Sequence, residues 1–99
     1  MNSDEFKSSL AHHAPPDGLS VPLAALWWDA KGDAARAHDM VNDLETADGM
    51  AVHAYLHSKE GATSNAEYWY ARVGRKFQRP TLDGEWAALV EGLLSGTVG

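Results

Sequence analysis

His53 and His57 stand four residues apart in Val52-His53-Ala54-Tyr55-Leu56-His57. At that spacing two imidazoles on one helix face can share a metal ion. The zinc-peptidase pattern needs a glutamate directly after the first histidine, and Ala54 stands there instead, so that mechanism has no base. A third ligand would have to come from His38, Asp39 or Glu60. The competing account makes both histidines core residues, hydrogen-bonded to a carboxylate or to backbone. That account is the expectation: no metal and no cofactor, with the His53 and His57 pair as the metal alternative.

Trp27, Trp28, Tyr55, Tyr68, Trp69 and Tyr70 form a dense aromatic set. Adjacent helical residues point about 100° apart, so Trp27-Trp28 and Trp69-Tyr70 cannot all face one small core. Accessible aromatic surface of this kind often marks a partner site. Arg72, Arg75, Lys76 and Arg79 supply half of the basic residues within one stretch. They complement a helix C-terminus, or hold an anion beside a stacking ring. The candidate ligand or partner surface is therefore Trp28, His38, His53, His57, Trp69, Arg72 and Arg75. Asp29, Asp33 and Asp39 read as solvated acids at turns and helix faces. No catalytic residue is assigned. Gly-x-Ser-x-Gly, phosphate-binding glycine loops and apolar-flanked acid pairs are all missing from the sequence.

Composition narrows the classes further. With 99 residues the chain holds one domain, large enough to bury a core without staples. It has no cysteine, which excludes disulfides, thiolate metal sites and thiol nucleophiles. The net charge of −6 argues against nucleic acid, whose phosphates are met by surplus Lys and Arg. No apolar run approaches a membrane span, and Met1-Asn2-Ser3-Asp4-Glu5 lacks signal-peptide character. A cytoplasmic protein with no membrane contact is the expectation.

The elements that must position these side chains are helices. Apolar residues recur at three and four, and strand-like alternation is lacking. Ser3 reads as the cap of a helix reaching about His12, and Pro15-Pro16-Asp17-Gly18 turns the chain. Ser20 caps a helix from Val21 to about Lys31, closed at Gly32. Asp33 caps the next, through about Leu44, and Thr46 to Gly49 is a break. A helix with Met50, His53, Ala54 and His57 on one face follows and stops at Gly61. Ser64-Asn65-Ala66-Glu67 is a capping box for a helix from Asn65 to about Val73. Leu82, Trp86, Leu89, Val90, Leu93 and Leu94 form the stripe of a last amphipathic helix.

Gly32 to Ala37 and Gly61 to Ala66 both read Gly, four residues, Ala, at an offset of 29 that also aligns Ala25 with Ala54 and Trp28 with His57. This resembles the tetratricopeptide repeat. Ala25, Trp28, Gly32 and Ala37 match its pattern in the first unit, and Ala54, Gly61 and Ala66 in the second. The offset is shorter than that family's 34, the closing proline is missing from both units, and His57 replaces an aromatic. Most of the chain is also similar to a small uncharacterised family of short bacterial proteins. The segments that carry this likeness are Trp27 to Asp33, Ala37-His38-Asp39, Val52 to His57, and Asn65 to Tyr70 with Arg72. The likeness implies a fold and brings no catalytic residues.

The sequence thus predicts an all-α, five-helix single domain, counted from the Val21 helix after the short N-terminal one, built on two degenerate tetratricopeptide-like helix-turn-helix units. Residues 1–18 form the N-terminal helix and connector, 19–74 the two hairpins, and 81–95 the amphipathic helix. The role it suggests is a protein-interaction module with a protein or peptide partner rather than an enzyme. A small enzyme or ligand-binding protein with a His/Arg/aromatic pocket is the alternative. A monomer is expected, with a homodimer through the last helix as the other arrangement.

Overall fold

Asn2, not Ser3, opens the first helix. Its side chain accepts the Glu5 N–H at 2.8 Å, and the Glu5 carboxylate accepts the Asn2 N–H at 3.1 Å. The cap sits one residue early because only Asn2 has a glutamate three residues on; three beyond Ser3 is Phe6, which cannot reciprocate. The computed structural model describes residues 1–61, residue 68 and residues 82–94. Within these, helix α1 spans Ser3–Ser9, short of the expected His12, α2 spans Val21–Ala30 and α3 spans Ala34–Val41. Helix α4 covers Ala47–Lys59 and α5 covers Leu82–Leu94. The described residues are helical or irregular, with no strand among them.

Ser20 caps α2 through the Leu23 N–H, and Asp33 caps α3 through the Arg36 N–H. Between them Gly32 takes a φ of +90°, so α3 starts two residues after that turn and packs along α2. Helix α3 ends at Val41 rather than Leu44, because Leu44 turns back over the start of the next helix. A Cβ on Gly49 would lie 2.6 Å from the Leu44 Cγ. The expected break at residues 46–49 is instead the first turn of α4. Thr46 accepts the Gly49 N–H at 3.1 Å and so starts the helix ahead of Met50. The helix predicted over 65–73 and its Ser64–Glu67 cap lie outside the described residues; Tyr68 alone is described there, helical and exposed.

Helix α4 contacts α2, α3 and α5, and α5 reaches across to α2 and α1. Phe6, Leu26, Trp27, Val41, Val52 and Val90 are fully enclosed where these helices meet. Each such side chain contributes about 1.5–3 kcal/mol by leaving water. The buried indole N–H groups find acceptors. Trp27 donates to Ser9 Oγ at 3.0 Å, the Ser9 hydroxyl donates to the Phe6 carbonyl, and Trp86 donates to the Leu26 carbonyl at 3.0 Å. Lys31 donates to the Leu10 carbonyl at 2.7 Å and lies over the Trp27 ring. Among the described residues, no helix is long and apolar enough to cross a membrane.

Candidate metal centre

The turn at Gly32 and the packing of α3 on α4 bring His38 to the face of α4 that carries His53 and His57. One nitrogen from each of the three rings lies within 4.8 Å of the other two. The His38 ring stands edge-on to both partners, 4.6 Å from His53 and 5.0 Å from His57 between centroids. His53 and His57, one helical turn apart, stack at 4.6 Å. Of the three third ligands that the sequence allows, the fold selects His38.

Burial grades across the cluster. His53 is 4% exposed, while His38 and His57 are half-buried. His38 Nε2 is shielded from solvent with no hydrogen-bond partner among the described residues. His57 Nδ1 has the Glu60 carboxylate at 3.8 Å, too far for a hydrogen bond. Burial, followed by the charges that His38 and His57 would carry, pushes the His53 imidazole down to about 4. Burial and His38 also lower His57, against the opposing pull of Glu60. All three groups cannot be charged together in so small a space. Neutral imidazoles are what a metal ion requires of its ligands.

Asp29 lies on the other side of α4 and overturns one expectation. It is 2% exposed rather than solvated. The Tyr55 hydroxyl donates to its Oδ2 at 3.0 Å and Lys59 Nζ to its Oδ1 at 2.9 Å. The signal was present in the sequence, since Asp29 follows Pro22, Ala25 and Leu26 along the buried stripe of α2. Asp33 and Asp39 hold the expected places, the first as a cap and the second exposed. Burial also pushes the Glu85 carboxyl on α5 up to about 7, and nothing in the sequence pattern marked that residue.

The remaining candidates separate. Trp28 packs edge-on against Trp27 at 4.9 Å, and the Arg36 guanidinium covers its ring at 4.1 Å, within cation–π reach. Trp69, Arg72 and Arg75 lie outside the described residues. Of the aromatic set, Trp27 and Tyr55 are buried and Tyr68 is 58% exposed. No protein-family model, curated protein or solved structure matches the chain.

Proposed function

We propose that this protein binds a divalent transition-metal ion through His38, His53 and His57, on a scaffold of tetratricopeptide-like hairpins. The observation that carries this reading is the convergence of three imidazole nitrogens within 4.8 Å from two helices. Around zinc, with bonds of 2.0–2.1 Å, tetrahedral ligand atoms sit roughly 3.3 Å apart. Binding would draw the three nitrogens inward to that spacing by side-chain rotation. Imidazole donors suit zinc, copper, nickel and cobalt, whereas magnesium and calcium prefer oxygen.

The test is calorimetric titration of untagged protein with zinc at pH 7.5. One site is expected, lost in His38→Ala and kept when the exposed His12 and His13 are both changed to Ala. Absence of heat, or a site indifferent to His38→Ala, overturns the reading.

A second reading, a monomeric cytoplasmic interaction module of the bacterial kind, draws support from the first hairpin. Ala25 and Ala37 are fully buried, and Gly32 takes the conformation that a helix-turn-helix exit needs. Trp28, Trp69, Arg72 and Arg75 would then face a protein or peptide partner, and the ion would serve to fasten α3 to α4.

A further inference from the structure

We infer that the ion held by these three histidines keeps its fourth coordination position open, occupied by water at rest and by a small monodentate anion on exchange. This rests on the metal reading above and goes beyond it, because a purely structural zinc site closes its tetrahedron with a fourth side chain. Among the described residues, only His38, His53 and His57 form a group that could hold an ion.

Among the described residues, the carboxylates on these helices have other occupations. Asp29 is locked between Tyr55 and Lys59 on the far side of α4. Asp33 caps α3 through the Arg36 N–H, and Asp39 is exposed. Glu60 lies alongside His57, 3.8 Å from Nδ1, outside the group of converging nitrogens. A side-chain rotation that closed this gap would make it an outer carboxylate that orients the imidazole rather than a direct ligand.

Charge and access point the same way. Three neutral imidazoles leave a divalent ion with its full positive charge, which favours an anion or hydroxide in the remaining position. His53 closes the buried side of the cluster. The His57 side chain is 14% exposed and His38 is half-buried, so the less enclosed edge of the cluster lies on their side, with His38 Nε2 and His57 Nδ1 themselves shielded. A water held there loses its proton far more readily than bulk water, which makes the site one for hydration or hydrolysis of a small electrophile.

Cobalt-loaded full-length protein provides the test. Its visible absorption bands should shift and saturate on titration with azide or cyanide, with the cobalt retained through gel filtration. X-ray absorption of the zinc form should show three imidazoles and one light oxygen. Bound cobalt whose bands ignore both anions, with a fourth protein ligand in the zinc spectrum, overturns the open position and leaves the metal reading standing. No cobalt bands at all overturns both.

Discussion

The three imidazoles and Glu85 give the metal-free protein two opposed responses to acid. An unfolded histidine titrates near pH 6.5, whereas folded His53 does so at about 4. The unfolded chain therefore takes up protons first. The stability contributed by neutral His53 is complete above about pH 6.5 and is lost as the pH falls towards 4. Glu85 runs the other way, because burial raises it from 4.5 to about 7. Its contribution is complete below pH 4.5 and is lost as the pH rises through 7. The thermal midpoint of His53→Leu should consequently vary less between pH 6.5 and 4 than that of wild type. Glu85→Gln should lose more stability on acidification and melt higher at pH 8. Calorimetric melts across that range measure both, and superimposable wild-type and His53→Leu profiles would contradict the assigned burial. The i, i+4 histidine pair was legible in the sequence because helical spacing alone sets it. The choice of His38 was not, since it depends on where α3 crosses α4. The place of Asp29 was legible from the buried stripe of α2, but its partners were not, since Tyr55 and Lys59, which make burial of that carboxylate tolerable, arrive from α4.

Between elements, the link from Asp29 to Lys59 joins α2 to α4 through partners of unequal burial. The side chain of Asp29 is 1% exposed and that of Lys59 is 39% exposed. Lys59→Met should cost about 3 kcal/mol, because it strands a buried carboxylate with only the Tyr55 hydroxyl as donor. Asp29→Leu should cost less, about 1–2 kcal/mol, since the freed ammonium turns into water and the main loss is the acceptor for Tyr55. Urea midpoints decide the order, and two equally small losses would mean the pair behaves as an exposed one. The junction of α3 and α4 makes a second prediction. Replacing a helical glycine by alanine ordinarily gains about 1 kcal/mol. At Gly49 the new methyl would meet Leu44 side-chain carbons at 2.6 and 2.8 Å and its carbonyl oxygen at 2.8 Å. Gly49→Ala should therefore destabilise by about 1–3 kcal/mol. Helix order was readable from caps and glycines, but the ends near Leu44 and Thr46 were not. The fold-back of Leu44 onto Gly49, five residues on, set them, and helical periodicity does not register such a contact.

Across the whole molecule, α5 turns the described part of its apolar stripe, from Trp86 to Leu94, against the core. Leu89 and Val90 are buried, and Trp86 ties it to α2. A monomer of 10.7 kDa is therefore expected by light scattering at all concentrations. A dimer mass that persists on dilution would mean that this helix also serves a second chain. Helix α1 stands apart in this arrangement. Seven residues are too few to be helical alone in water. Phe6 in the core, the Ser9 relay to Trp27 and the Lys31 contact with Leu10 hold it in place. Such a segment opens as a unit, at a free energy below that of global unfolding. Its amides should exchange with deuterium ahead of those in α2 and α4. Each opening would wet the Trp27 indole and part Phe6 from the Trp86 ring 5.9 Å away, so tryptophan emission would register the detachment of α1 before circular dichroism registers any loss of the remaining helices.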